Sequence, residues 1–247
     1  MKAAPDDQLR LLDLQALDST LDRLVHRRRT LPELEQVEQL EARETQLRDD
    51  AVLIETEDSD LGREQSKLEG DIDVVRSRMQ KDQQRLDAGQ VSSPRELENL
   101  QSEIESLRRR QSELEDVELE IMEKRELVQT RLQELRDERE QALGTLEQTT
   151  QRRDAAFAEI DADVDKTTQQ RTELAGGLPD DLLALYEKIR ASSGGVGAAA
   201  LHRGRCEGCH LQLNTTDLNR LREAPEDDVL RCEECRRILV RTAESGL

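Results

Sequence analysis

Aromatic side chains are almost missing from this sequence. Its 247 residues hold no Trp, one Tyr (Tyr186) and one Phe (Phe157). A compact single domain of this length needs aromatic bulk in its core, so that class is excluded. Histidine occurs three times. No Ser-His-Asp set, H-E-x-x-H pattern or phosphate loop is present, which leaves a hydrolase or redox enzyme without its chemistry. No apolar run reaches about 18 residues, so no membrane span is expected. The first residues, Met1 to Asp7, lack the apolar centre of a signal peptide. Lysine is scarce and the basic side chains are almost all Arg. Arg is the better bidentate donor, though a GC-rich coding sequence gives the same bias.

Charge is abundant. Charged residues make up 38% of the chain and the formal net charge is -19. Residues 1–195 carry 29 basic and 47 acidic side chains, and residues 196–247 carry 8 and 9. General electrostatic attraction to nucleic acid is therefore absent, and any such binding needs a local basic patch. So charged a composition also suits disorder. Regular apolar spacing argues against it, because a disordered tract has no reason to keep a period.

That spacing is the 3-4 rhythm of a coiled-coil seam. One run passes through Leu40, Leu47, Ala51, Ile54, Leu61, Leu68, Ile72, Val75, Met79 and Leu86. A second starts at Leu97 and passes through Leu100, Ile104, Leu107, Leu114, Ile121, Leu132 and Leu135 toward Ile160 and Leu174. Between them lies Asp87 to Pro94, with Gly89, Ser92 and Ser93. Ser93 caps the next helix, Pro94 takes its first position and Glu96 completes a capping box. A short loop between two long helices predicts an antiparallel hairpin with its tip at 87–94. Gln90, Val91, Pro94, Arg95 and Glu96 are candidate partner-binding residues on that tip.

Residue numbers that sum to about 181 should face each other across such a hairpin. Asp71 and Asp73 then meet Arg108 to Arg110. Arg27 to Arg29 meet Arg152 and Arg153, a like-charge level that invites an acidic partner or a phosphate. The first arm is expected to kink near 29–32, where Thr30 and Glu33 suggest a second capping box and Pro32 removes a helical donor. Residues before the kink should pack on the hairpin base near 153–174.

The strongest chemical signal lies in the last fifth of the chain. Cys206-Glu207-Gly208-Cys209 and Cys232-Glu233-Glu234-Cys235 contain all four cysteines. Two C-x-x-C pairs supply the four thiolates of a tetrahedral Zn2+ site. A thioredoxin-like redox motif would need a βαβ context that is missing. His202 and His210 are surplus to a complete set of four sulfurs. A catalytic zinc keeps an open position, whereas four Cys close the site, so the metal is read as structural. Cysteines in ligand spacing suit a reducing interior, and the cytoplasm is the expected location. Gly208 is expected to supply a positive φ in the first knuckle.

The expected architecture is mainly α. Residues 1–175 form a long antiparallel coiled-coil hairpin with a kinked first arm. Residues 176–195 form a short helix and linker, and residues 196–247 a C4 zinc ribbon of short strands with an inserted helix. Some 50 residues bury too little apolar area to fold alone, so metal ligation must supply part of the ribbon's folding energy.

These residues resemble a bacterial family that joins a long coiled-coil hairpin to a C-terminal C4-type zinc ribbon. The likeness is carried by Pro94-Arg95-Glu96-Leu97-Glu98-Asn99-Leu100 after the tip, by Gly195-Val196-Gly197-Ala198-Ala199, by Cys206 to Leu211 and by Arg237-Ile238-Leu239-Val240. It implies one Zn2+ on Cys206, Cys209, Cys232 and Cys235, no enzymatic activity, and a nucleic-acid-binding or adaptor role. Arg236 departs from the family pattern, where many ribbons carry Gly.

Two functions follow. A nucleic-acid adaptor would present Arg203, Arg205, Arg231, Arg236, Arg237 and Arg241, beside the knuckles, to RNA or DNA phosphates. A protein scaffold or chaperone-like adaptor would use the hairpin tip and the ribbon instead. Neither takes a small-molecule substrate.

Overall fold

The computed structural model describes all 247 residues. The chain forms helices α1 (Pro5–Arg29), α2 (Pro32–Asp87), α3 (Pro94–Ala175) and α4 (Asp180–Ser192). Strands β1 (Ala198–His202) and β2 (Arg205–Cys206), helix α5 (Thr215–Glu223) and strands β3 (Leu230–Arg231) and β4 (Ile238–Val240) follow. The fold is mainly α, a coiled-coil hairpin with a broken first arm and a small zinc ribbon. Two compact units divide it: Glu35–Thr150, and Met1–Leu34 together with Gln151–Leu247.

In the unit Glu35–Thr150 the helices α2 and α3 run antiparallel. Leu47, Ala51, Leu132 and Leu135 meet in the seam, flanked by Ile54 and Ala142. Arg43 pairs with Glu138 at 2.7 Å and Arg78 with Glu103 at 2.6 Å, both on the expected register. The pairing drifts elsewhere. Arg76 reaches Glu115 and Arg136 reaches Glu55, several residues off that register. The expected meeting of Asp71 and Asp73 with Arg108 to Arg110 therefore does not form. Asp73 lies 3.5 Å from Arg76 on its own helix, and Arg110 lies 3.3 Å from Glu113. Gly62 leaves the space that Arg125 fills, its guanidinium 3.3 Å from where a Cβ would stand. There Arg125 donates to Asp58 and Gln65.

At the tip, Ser93 Oγ accepts from the Glu96 N–H as expected, while the Glu96 carboxylate accepts from the Ser92 N–H, one residue before the cap, so the return bond of the capping box is shifted by one. Gly89 holds φ 64°, the left-handed turn that glycine allows without strain. Leu97, expected to open the seam, is 39% exposed and lines the tip surface instead.

In the other unit the first arm breaks at Thr30 and Leu31, and Pro32 starts α2. The expected second capping box is not made. Thr30 Oγ1 donates back to the His26 carbonyl of α1, and α2 starts at Pro32, which puts Leu31 rather than Thr30 at the cap position. Upstream of the break, α1 lies on α3: Leu24 and Leu31 pack on Ile160, with Ala156, Phe157 and Val164 beside them. The expected like-charge level is defused here. Arg28 stacks 4.2 Å over the Phe157 ring and lies 3.4 Å from Asp161. Arg153 pairs with Asp154, and Arg152 is engaged as well.

The ribbon sheet has the order β2-β1-β4-β3, with β1 and β4 parallel, Ala198 opposite Ile238 and Ala200 opposite Val240. Alternate residues point to opposite faces. Ala198, Ile238 and Val240 join a core made by Leu11 and Leu14 of α1 and by Leu182, Tyr186 and Ile189 of α4. Ala199, Leu201 and Leu239 face Leu213, Leu221, Cys206 and Cys232. The ribbon expected to begin at residue 196 and to lean on its metal thus also shares its core with the helices. The sheet edges are also covered. Lys2 bridges to Asp228 beside β3, and Gln212 bridges to Arg205 of β2.

Candidate metal centre and its surroundings

Two loops of matching geometry carry the cysteines. The His210 N–H bonds the Cys206 carbonyl at 2.7 Å, and the Arg236 N–H bonds the Cys232 carbonyl at 2.9 Å. The Cys206 N–H bonds the Leu211 carbonyl and the Cys232 N–H the Arg237 carbonyl. Each loop closes through one left-handed residue, His210 at φ 58° and Arg236 at φ 61°. The expectation for Gly208 is corrected here, because the positive φ falls two residues later. Gly208 serves close packing. A Cβ on it would stand 2.8 Å from Arg237 Cδ and 3.0 Å from Ala199 Cβ.

The four sulfurs lie within 4.8 Å of one another. Cys206 Sγ and Cys235 Sγ are 3.8 Å apart, and Cys209 Sγ and Cys232 Sγ 3.9 Å. A disulfide needs about 2.05 Å. A tetrahedron with Zn–S bonds of about 2.3 Å has edges of about 3.8 Å, so the separations fit one Zn2+. Cys206 and Cys232 are buried, while Cys209 and Cys235 are half-buried. Burial pushes the Cys206 and Cys232 thiols up. Burial also acts against the Cys235 thiolate, but hydrogen bonds from the Arg237 N–H and guanidinium and from the Cys232 and Cys209 thiols together outweigh it and bring Cys235 down to about 7. Zinc binding takes all four as thiolates. His210 is exposed and His202 pairs with Glu244, so neither joins the sulfur set.

With that geometry established, comparison with known proteins is decisive. Residues 14–194 match the family model of the CT398-like coiled coil hairpin domain. The chain belongs to that family. Residues 205–239 match the C4-type zinc ribbon domain. An uncharacterized protein of Mycobacterium tuberculosis is 37% identical over 242 residues, covering 98% of both chains. A solved structure from Mycobacterium smegmatis is 33% identical with a TM-score of 0.85, over 98% of this chain and 100% of that one. The structure of CT398 from Chlamydia trachomatis, 21% identical, shares the fold at a TM-score of 0.68, over 96% of this chain and 98% of that one.

Around the ribbon of this CT398-like chain, the six arginines do not form one open face. Arg237 spends its guanidinium on three backbone carbonyls, those of Ser193, Val196 and Gly208. Arg241 holds the carbonyls of Leu221, Ala224 and Pro225 at the end of α5. In this structure the two expected phosphate ligands act as internal braces, their half-buried donors already paired. Arg231 donates to the Arg236 carbonyl. Arg205 grips Glu207 through two nitrogens, and Arg236 lies 3.2 Å from Glu233. Arg203 is exposed and makes no side-chain pair.

At the tip, Val91, Ser92, Ser93, Pro94, Leu86, Gly89 and Leu97 line a shallow cavity of about 410 Å3. Gln90 and Arg95 are exposed beside it. Glu96 is taken up by its cap and lies 3.7 Å from Arg85, so it is less available than expected.

Sequence reasoning missed a buried polar cluster. Asp18 is 1% exposed, accepts from Tyr186 Oη at 2.6 Å and from Arg171 Nε at 2.9 Å, and lies 3.4 Å from Arg190. Gln15 Oε1 accepts from the Gly197 N–H at 2.7 Å and from Tyr186 Oη. The one available signal was Tyr186 itself, a lone aromatic on a short amphipathic helix.

No helix is long and apolar enough to cross a membrane.

Proposed function

We propose that this chain is a non-enzymatic adaptor that binds protein partners, with the zinc ribbon and the hairpin tip as its presenting surfaces. One observation carries the choice of partner: the ribbon arginines are mostly consumed by the ribbon's own carbonyls and glutamates. A phosphate backbone would have to displace those partners and overcome a net charge of -19. The closed set of four sulfurs supports a structural metal rather than a catalytic one. The apolar tip cavity suits a partner's aliphatic side chain, with Arg95 at its rim supplying selectivity. Cytoplasmic residence is part of the proposal, since free thiolates in ligand spacing suit a reducing compartment.

The test uses the full-length, zinc-loaded protein. Its affinity for mixed-sequence single-stranded RNA and duplex DNA is measured from low to physiological salt. The expected result is no steep salt-dependent binding. Affinity that falls sharply with salt, and is lost when Arg203 and Arg205 become Gln, would replace the protein-partner reading with the nucleic-acid one. In parallel, Val91→Asp should abolish capture of protein partners while leaving zinc content unchanged.

A further inference from the structure

Arg237 does more than favour the Cys235 thiolate. It sits on the second knuckle, two residues after Cys235. Its Nη1 donates to the Gly208 carbonyl on the first knuckle at 3.1 Å. Its Nε donates to the Val196 carbonyl at 3.0 Å and its Nη2 to the Ser193 carbonyl at 2.7 Å. One guanidinium therefore ties both knuckles to the segment between α4 and β1. Charge-assisted bonds of this kind are among the stronger ones available.

The segment it grips is itself the docking point for α1. Gly194 and Gly195 hold φ 68° and 87°. The Gly195 carbonyl accepts from Gln15 Nε2 at 2.9 Å, and the Gly197 N–H donates to Gln15 Oε1 at 2.7 Å. Gly197 admits no side chain, because a Cβ would stand 2.7 Å from the Tyr186 ring and 2.8 Å from the Tyr186 carbonyl. Tyr186 in turn donates to Asp18. The path from sulfur to α1 is continuous: knuckles, Arg237, residues 193–197, Gln15, Asp18.

We propose that zinc occupancy and the docking of α1 are coupled through Arg237 and residues 193–197, so that loss of zinc loosens that segment and uncovers the apolar face of Tyr186, Ala198, Ile238 and Val240. With the metal bound, both knuckles are fixed and Arg237 has all three acceptors in place. Without it, only the β1–β4 pairing and the core around Leu239 hold the two knuckles together, and the Gly208 carbonyl is freer to leave the fork. The coupling does not depend on which class of partner the adaptor binds.

Coupling of this kind is reciprocal, which supplies the test. Hydrogen exchange is measured on the full-length protein as isolated, after chelation, and after zinc is restored. Chelation should speed exchange in residues 193–198 at least tenfold, and restored zinc should reverse it. Opening confined to residues 206–210 and 232–236, with 193–198 unchanged, would overturn the proposal. The second arm is Gln15→Met, since none of the Gln15 hydrogen bonds reaches a knuckle. In competition with a chromophoric chelator at equilibrium, this variant should bind zinc at least about fivefold more weakly than wild type, the lower end of ordinary coupling. Wild-type zinc affinity would overturn it too.

Discussion

Arg236 should be better replaced by Gly than by Ala, against the usual order of those two residues. Its φ of 61° places an L residue in the left-handed region, at a cost of about 1–2 kcal/mol. Both substitutions remove the exposed contact to Glu233, so that loss cancels in the comparison. Ala keeps the strain. Gly relieves it but gives back about 0.4–1 kcal/mol of unfolded-chain entropy. The remainder favours Gly by about 0.5–1 kcal/mol. His210, at φ 58° in the matching place of the first knuckle, should repeat the result. The assay is urea unfolding of the zinc-saturated protein followed by Tyr186 emission, because Tyr186 is the only Tyr and lies in the core that the ribbon shares. With a slope of about 3 kcal/mol per M, the expected separation in midpoint is roughly 0.2–0.3 M. Ala variants as stable as Gly variants at both positions would refute the reasoning.

Gly70 is the counter-example, since it lies in α2 with nothing within 4 Å of a Cβ. Gly70→Ala should stabilise the hairpin by about 0.5–1 kcal/mol in a helicity melt. Tyr186→Phe keeps the ring but removes the donor to a buried carboxylate, and should cost about 1.5–3 kcal/mol in urea unfolding followed by helicity. The Arg125 guanidinium holds the Asp58 carboxyl below its usual range. Its contribution is therefore present above pH about 4 and lost as acid protonates the folded form. Helicity of wild type should fall with acid in that window, and Arg125→Gln should reduce this dependence.

The hairpin was legible because its information is periodic. Leu47, Ala51, Leu132 and Leu135 occupy the seam that their spacing demands, and Ser93-Pro94-Arg95-Glu96 writes its own cap. The four cysteines were legible because zinc chemistry fixes both ligand type and spacing. The register was readable only in part. One arm's number does not determine the other's when a long Arg side chain can reach either of two carboxylates, as Arg76 does with Asp73 and Glu115. The fate of the arginines was hidden for a different reason. A guanidinium reads the same in sequence whether it meets a phosphate or, like Arg237, three carbonyls of its own chain. The backbone at Arg236 is left-handed, a conformation that suits Gly, and Arg occupies that place under strain.

The ribbon's order should depend on α1 as well as on zinc, and removing residues 1–31 separates the two. All four metal ligands lie downstream, so the truncated chain should still hold one Zn2+. It would lose Leu11 and Leu14, both fully buried against the ribbon face, together worth about 3–6 kcal/mol. It would also lose Lys2, whose bridge to Asp228 covers the β3 edge. Tyr186 reports the outcome. In the intact chain burial pushes the phenol's pKa up, the hydrogen bond to Asp18 pushes it further, and Arg190 acts the other way. Without α1 the burial and Asp18 are both gone. The phenol should then titrate near its ordinary value of about 10 while zinc stays bound. A truncated protein that keeps Tyr186 buried and un-ionised above that pH would show that metal and α4 alone organise the sheet, and that α1 is an addition to the core rather than part of it.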